Sequence, residues 1–265
     1  MKCRICNSEN LSLFYAQGFG DQFKYYKCEN CKLVNLDLES INHTQNQEKY
    51  VYLYSPPKDY EKVKGSLQAY NFVSKYVPIK GSFMDIGCGY GSMLYFFKKF
   101  GWNVKGLELS QELADCVKDK LQVDVEVSDF LKYEKDLNQF DLVSLRQVLE
   151  HLPDSVLALN KISAMLKPNG YGYFEFPNIN SFIHRLQRFK YRFKFLKKKY
   201  DPSFAPGHCN EFSKSTFEYL LKETGFKLIR WETYSKKPIS NFIYNHFHFG
   251  TKARAIIQKV NPNLP

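Results

Sequence analysis

The 265-residue chain has no long hydrophobic run. A membrane-spanning helix needs about 20 consecutive apolar residues, and no apolar stretch of the sequence approaches that length. Residues 1–6 include two charged side chains and no apolar segment, so the sequence does not predict a secretory signal peptide. We therefore expect a cytoplasmic protein, with the inner face of the membrane as an alternative location, and reduced cysteines rather than disulfides.

Acidic residues are absent from residues 185–199, which contain eight of the 38 Lys and Arg residues. The rest of the chain carries 30 basic and 27 acidic residues, so the net charge of +11 belongs mainly to this segment. Overall basicity therefore does not indicate nucleic-acid binding. Apolar residues recur at helical spacing from Phe182 to Tyr200, which predicts an amphipathic cationic helix within a substrate-lid insert over residues 178–212.

The cationic helix has three interpretations. It is a solvated surface helix, it attracts diphosphate or another anionic group of the substrate, or it makes peripheral contact with an anionic membrane through residues 182–200.

Four of the seven cysteines form two Cys-x-x-Cys pairs, and 21 residues separate the pairs. Thiolate is a preferred zinc ligand, and two such pairs supply the four sulfurs of a closed tetrahedral site. The predicted ligands are Cys3, Cys6, Cys28 and Cys31. Because no coordination position is left open, we expect a structural zinc ion in a zinc-ribbon module over residues 1–40.

From residue 82 the sequence alternates between predicted strands and helices. The strands are expected at 82–87, 103–109, 123–127, 140–145, 171–176 and 226–234, and the helices at 59–77, 92–100, 111–121, 155–166 and 214–224. This alternation predicts an α/β fold with a doubly wound, mostly parallel sheet. The expected divisions are a linker and helix (41–80), a core (81–235) and a tail (236–265) with no clear final strand.

A glycine-rich turn follows the first strand of the core. Gly87, Gly89 and Gly91 have the spacing G-x-G-x-G, whereas the dinucleotide fingerprint is G-x-G-x-x-G. Asp85 lies two residues before the first glycine. Glycines here let a ligand approach the backbone, and the spacing favours S-adenosylmethionine over NAD.

An ordered set of motifs accompanies this turn and resembles class I S-adenosylmethionine-dependent methyltransferases over roughly residues 60–235. The motifs are Asp85–Gly91, Glu108, Asp129-Phe130, Phe140–Val143 with Leu149–Pro153, and Leu166–Gly170. The expected fold is therefore Rossmann-like. This resemblance implies cofactor-binding roles for Asp85, Gly87, Cys88, Gly89, Glu108, Leu109, Asp129, Phe130 and Gln147.

In that resemblance, Asp85 and the glycines contact the amino acid end of the cofactor. Glu108 accepts the ribose hydroxyls, Asp129 and Phe130 contact adenine, and Gln147 faces the methionine end. A loop-capping role is the alternative for Asp129.

Two histidines are candidates for the base that deprotonates an acceptor hydroxyl. His151 follows the fourth strand of the core, and His208 follows the cationic segment. The alternatives are an orienting or helix-capping role for His151 and a packing role in the lid for His208.

The four-cysteine module, the core and the His208-x-x-x-Phe212-Ser213 segment together resemble bacterial methyltransferases of sugars and surface polysaccharides. The implied substrate is a small molecule or glycan, such as a nucleotide-linked sugar. Relatives that methylate carbon carry Glu where this chain has Gly207, and the usual seventh antiparallel strand is not evident. We therefore expect an oxygen acceptor.

Two other functions remain open. A ribosomal RNA methyltransferase with a zinc module is one, although no Asn-Pro-Pro-Tyr-type motif follows the fourth strand and no Pro-Cys nucleophile is present, so a nucleic-acid partner is not expected. A non-catalytic protein that retains the fold is the other.

Overall fold

The computed structural model describes residues 1–40, 56–186, 206–235, 244 and 246–260. Most of the predicted cationic helix and residues 41–55 of the predicted linker lie outside the described residues. Residues 182–186, at the start of that predicted helix, are helical. No helix within the described ranges combines the length and the apolar character that crossing a membrane requires.

The centre of the molecule is a seven-stranded sheet with the order β10-β11-β8-β7-β4-β5-β6. Neighbouring strands from β6 to β8 pair in parallel, and β11 pairs antiparallel with both β8 and β10. The predicted mostly parallel α/β sheet is thus confirmed. The strands are β4 (Ser82–Ile86), β5 (Asn103–Glu108), β6 (Asp124–Val127), β7 (Phe140–Arg146), β8 (Leu166–Pro177), β10 (Phe226–Tyr234) and β11 (Lys252–Lys259).

Five helices flank this sheet in the described ranges. They are α1 (Lys64–Tyr76), α2 (Ser92–Lys99), α3 (Gln111–Leu121), α4 (Ser155–Met165) and α5 (Lys214–Glu223). Polar caps begin three of them: the side chains of Ser110, Asp154 and Ser213 accept hydrogen bonds from backbone N–H groups at the starts of α3, α4 and α5. Such caps satisfy N–H groups that have no partner within the helix.

Successive residues of a strand belong alternately to two hydrophobic clusters, one on each face of the sheet. Phe83 and Leu142 pack with α1, α2 and α3, whereas their neighbours Met84 and Val143 pack with α4 and α5. Both faces are therefore covered, as a parallel sheet requires.

The final strand β11 corrects the expectation that the tail has none. Its central residue Ala255 pairs with Trp231 on one side and Phe174 on the other. A small side chain fits between two large rings, but alanine has low intrinsic preference for strands. Pairing on both edges therefore supports the strand together with the buried Ile256 and Ile257, and the pairing is not visible in the local sequence.

The strand predicted at 171–176 begins earlier in the structure. Strand β8 begins at Leu166, which pairs with Phe140, and regular pairing resumes at Tyr171 opposite Leu142. The intervening residues form an irregularity in the strand.

The N-terminal module contains three strands, β1 (Leu11–Gln17), β2 (Phe23–Cys28) and β3 (Val34–Leu36). A fourth strand of this sheet, β9 (Asn210–Glu211), comes from the far end of the chain and pairs antiparallel with β3. The module is thereby joined to the segment that follows His208.

Candidate functional site

The glycine turn after β4 is left-handed at all three glycines, with φ of 67° at Gly87, 53° at Gly89 and 73° at Gly91. A Cβ on Gly87 would lie 2.6 Å from Val148 Cγ2, and one on Gly91 would lie 2.9 Å from Val117 Cγ1. A Cβ on Gly89 would have no heavy atom within 4 Å. Gly87 and Gly91 therefore have no room for a side chain, whereas Gly89 borders open space that a ligand can enter.

Asp85 lies buried at the carboxyl end of β4. Its Oδ1 accepts a hydrogen bond of 2.5 Å from the Ser144 hydroxyl. Burial raises the pKa of Asp85 to about 7, while the bond from Ser144 and the charge of Arg146 act in the opposite direction. A cationic group of a ligand would favour the charged form of this carboxylate.

Glu108, at the carboxyl end of β5, is coupled to the glycine turn. Its Oε2 accepts from the Gly89 N–H at 2.8 Å, and its Oε1 accepts from Leu109 and Ser110 at 2.8 and 3.1 Å. These bonds fix the carboxylate at the strand end, where a pair of ribose hydroxyls could reach it.

Cys88 and Leu109, which the resemblance places at the cofactor, point in different directions. The Cys88 side chain is buried against β5, since a Cβ on Gly106 would lie 3.0 Å from its sulfur, and only the Cys88 backbone belongs to the turn. Leu109 is 51% exposed.

The side chain of Asp129 caps the turn that follows it, which is the role given above as the alternative to a cofactor contact. Its Oδ1 accepts from the Leu131 N–H at 3.0 Å, and its Oδ2 lies 3.6 Å from Lys132 Nζ. Phe130 is buried in the hydrophobic cluster beneath α4. Their contacts with adenine stay predictions.

Gln147 follows β7 in a left-handed conformation with φ of 59°. Its N–H donates to the Glu175 carbonyl at 2.6 Å, and its side-chain Nε2 is buried without a hydrogen-bond partner in the described parts of the chain. Strain and an unsatisfied amide on one residue are typical of a ligand site.

These features together fit S-adenosylmethionine. Strands β4 and β7 are parallel neighbours, so their carboxyl ends bring the glycine turn and Gln147 to the same edge of the sheet. The space beside Gly89, the two acidic side chains and the orphaned amide form a cradle at the position where open α/β sheets bind ligands.

The two predicted histidines lie together beside this cradle, with ring centroids 4.8 Å apart. Val148, which contacts Gly87, is only three residues before His151. The His151 Nδ1–H donates to the Gly207 carbonyl at 2.8 Å. Because a carbonyl can only accept, the lone pair of His151 is on Nε2.

Titration of His208 is shifted by its surroundings. Burial, together with the nearby His151 and His184, lowers the pKa of His208 to about 4. The imidazole is therefore neutral at pH 7 and retains a nitrogen lone pair.

Glu150 lies in the same cluster but has no role in the sequence-based prediction. It is 1% exposed, and burial raises its pKa to about 8. Neither carboxylate oxygen has a hydrogen-bond partner from another described residue. The Glu150-His151 pair immediately after a predicted strand was the signal that could have identified it.

The N-terminal module holds the segment around His208 in place. Tyr25 donates from its hydroxyl to the His208 carbonyl at 3.0 Å, and Arg4 donates from Nε to Asn210 Oδ1 at 3.0 Å and from a terminal nitrogen to the Cys209 carbonyl. Sequence reasoning missed these contacts because they join residues about 180 to 200 positions apart.

The four predicted cysteine ligands converge in the module. Their sulfurs lie within 4.8 Å of one another, with Cys3 3.3 Å from Cys31 and Cys6 3.5 Å from Cys28. A tetrahedral zinc site with Zn–S bonds of about 2.3 Å separates its sulfurs by about 3.8 Å. The donor set and spacing fit zinc.

Comparison with known proteins identifies the family. A family model described as "Methyltransferase domain" matches residues 60–230, more than half of the chain. The ubiquinone biosynthesis O-methyltransferase of Coxiella burnetii is 27% identical over 165 residues, which cover 58% of this chain and 70% of that protein.

Solved structures share the fold at low sequence identity. A SAM-dependent methyltransferase from Archaeoglobus fulgidus matches with a TM-score of 0.55 and 19% identity, covering 83% of this chain and 100% of that one. One from Methanosarcina mazei matches with a TM-score of 0.56 and 17% identity, covering 72% and 98%. The chain therefore belongs to the methyltransferase domain family and is a class I S-adenosylmethionine-dependent methyltransferase.

Proposed function

We propose that this methyltransferase methylates a hydroxyl oxygen of a sugar or glycan precursor. The observation that carries the proposal is the pair His151 and His208 beside the glycine turn, because a hydroxyl must lose its proton to become a strong nucleophile. The name of the Coxiella burnetii relative, an O-methyltransferase, supports an oxygen acceptor.

The cofactor-binding residues align the donor with the acceptor. When bound, S-adenosylmethionine would supply a methyl group on a positively charged sulfur, which would keep the electron pair of the carbon–sulfur bond as the acceptor oxygen bonds to the methyl carbon. Asp85 binds the cationic amino group of the amino acid end, Glu108 accepts from the ribose hydroxyls, and Gly89 leaves room for both. Such positioning accounts for much of the catalysis of a reaction whose donor is already activated.

His208 is the proposed proton acceptor. The acceptor O–H bond breaks, a ring nitrogen of His208 takes the proton, and the electron pair stays on oxygen. His151 orients the segment through its bond to the Gly207 carbonyl.

The proposed acceptor class draws support from charge. The acid-free stretch of residues 185–199 lies directly before the His208 segment in the chain and supplies eight cations. These would attract the diphosphate of a nucleotide-linked sugar. A phenolic acceptor is the second candidate, because the Coxiella burnetii relative is named for ubiquinone biosynthesis.

We also propose that a structural zinc ion occupies the four-cysteine cluster. It would hold the N-terminal segment against β2 and β3, and so support Tyr25 and Arg4 at the His208 segment.

Methyl transfer from labelled S-adenosylmethionine, screened over nucleotide sugars, phenols and RNA, tests the proposed acceptor. We expect label in an acid-stable ether of a nucleotide sugar. Exclusive labelling of a phenol would transfer the proposal to the second candidate, and exclusive labelling of RNA or of a carbon atom would overturn both.

A further inference from the structure

We propose that Glu150, His151 and His208 bind a divalent first-row transition-metal cation, separate from the four-cysteine cluster. Binding of the cation does not depend on the proposed function. Its consequence for catalysis rests on the proposed oxygen acceptor.

The geometry of the three side chains suits a metal ion. One ligand atom from each residue lies within 4.8 Å of those of the other two. Two imidazole nitrogens and one carboxylate oxygen are a common ligand set for zinc, iron and manganese. Three protein ligands leave coordination positions open for water or an acceptor oxygen.

The buried carboxylate of Glu150 requires a polar or cationic group to interact with. Its carboxylate is almost completely buried, and both oxygens lack a hydrogen bond from another described residue. Protonation alone does not solve this, because a neutral carboxyl group still has an O–H donor and a carbonyl acceptor to satisfy. A cation between Glu150 and the two histidines would satisfy the carboxylate directly.

His151 has the orientation of a metal ligand. Metal-binding histidines usually donate their second ring N–H to a carbonyl or carboxylate, which fixes the tautomer. The Nδ1–H of His151 donates to the Gly207 carbonyl, so Nε2 is the nitrogen with which His151 would bind a cation.

The two segments that supply the ligands are joined by backbone. Cys209, next to His208, donates from its N–H to the Glu150 carbonyl at 2.9 Å. Tyr25 holds the His208 carbonyl from the other side. The site is therefore organised before a metal arrives, which favours binding.

A cation here changes how the acceptor proton is lost. A hydroxyl bound to the metal has a lower pKa, so its O–H bond breaks, the proton passes to solvent water and the electron pair stays on oxygen. His208 is then a ligand, and it acts as the base only when the metal is absent.

Titration with Mn²⁺ followed by electron paramagnetic resonance tests the site in the full chain, with the cysteine cluster first saturated with Zn²⁺. Thiolate clusters select softer ions than Mn²⁺, so we expect no Mn²⁺ to bind at the cysteine site. We expect one Mn²⁺ bound per chain, and we expect Glu150→Gln and His208→Ala each to weaken binding at least about tenfold. His246→Ala, which removes an exposed histidine, should bind Mn²⁺ like the wild type.

Folding of the variants is checked by circular dichroism and by unchanged affinity for S-adenosylmethionine. The proposal is overturned if neither Mn²⁺ nor a second equivalent of Zn²⁺ binds, or if Glu150→Gln binds either ion like the wild type.

Activity distinguishes this proposal from the proposed function. If oxygen methylation is unaffected by removal of the second metal but lost in His208→Ala, the base role of His208 stands and the proposed effect of the metal on catalysis fails. If the metal binds and no hydroxyl is methylated, the site stands and the proposed function fails.

Discussion

The hydroxyl of Tyr25 donates to the backbone carbonyl of His208 at a distance of 3.0 Å. The two residues lie in different parts of the molecule, one on β2 of the N-terminal module and the other beside the cofactor cradle. Pairing of β3 with β9 reinforces this contact. The module therefore forms one wall of the candidate active site.

Replacing Tyr25 with Phe should lower turnover by about threefold to tenfold, because a buried hydrogen bond contributes about 1 kcal/mol. The affinity for S-adenosylmethionine should stay the same, since Tyr25 does not contact the cradle. Steady-state rates and calorimetry measure the two quantities. Tyr26→Phe, on the next residue of β2, is the control and should match the wild type. Equal turnover in both variants would show that the module does not position His208.

His208→Ala should lower turnover at least about a hundredfold, because a positioned base or ligand is lost at the reacting hydroxyl. Affinity for the cofactor should hold, and His246→Ala should be fully active. A turnover close to the wild-type rate in His208→Ala would remove His208 from the mechanism.

Gly89→Val should abolish binding of S-adenosylmethionine, as measured by calorimetry. The new side chain enters the open space beside the turn. Its backbone must also keep a φ of 53°, which is unfavourable for a β-branched residue.

Gly101→Val is the matched control for Gly89→Val. Gly101 also has a positive φ, 88°, and also has open space at its Cβ, but it lies at the opposite end of α2 from the turn. It should lose stability and keep cofactor affinity. Unchanged affinity in Gly89→Val would refute the assigned position of the cofactor.

The raised pKa of Asp85 predicts that both the free energy of unfolding and the cofactor affinity depend on pH. Its pKa is raised from 3.8 in the unfolded chain to about 7 in the folded protein. The contribution of Asp85 to the free energy of unfolding is therefore fully present below about pH 4 and is lost as the pH rises through about 7. Cofactor affinity has the opposite trend, because the cationic amino group needs the charged carboxylate, so it should increase as the pH rises through 7.

Asp85→Asn should remove both trends, measured by denaturant unfolding and by calorimetry from pH 5 to pH 8. Asp115→Asn, on the exposed face of α3, should retain them. Identical pH profiles for Asp85→Asn and the wild type would assign the trends to another group.

Cys31→Ser should lower the melting temperature and the bound zinc per chain, because one of four sulfurs of the cluster is lost. Cys116→Ser, a cysteine outside the cluster, should keep both values. A zinc-free wild-type protein with unchanged melting temperature would contradict a structural zinc ion.

Local sequence predicted most strands and helices of the core to within a few residues. Helix α3 and strand β10 were predicted with the observed bounds. Their signals are local: the Ser110 cap, the helical spacing of apolar residues and the turn at Gly225. Strand β11 had a weaker signal, because two of its four buried positions, 253 and 255, are alanines and its pairing partners are distant in sequence.

The candidate site also has features that local sequence predicted and features that it did not. The positions of the glycine turn, Asp85 and Glu108 were predictable because they lie at strand ends, or directly after one, in a fixed order. The Oδ1 of Asp129 caps the next turn in the structure, and its predicted contact with adenine stays a prediction.

The sequence by itself determined the fold class, the glycine turn and the four cysteines, since each is encoded in a short pattern of residue types. Only the tertiary structure decided that Glu150 and His208 meet and that the N-terminal module holds the His208 segment. The physical reason is that these contacts depend on strand pairing and side-chain packing between segments far apart in the chain.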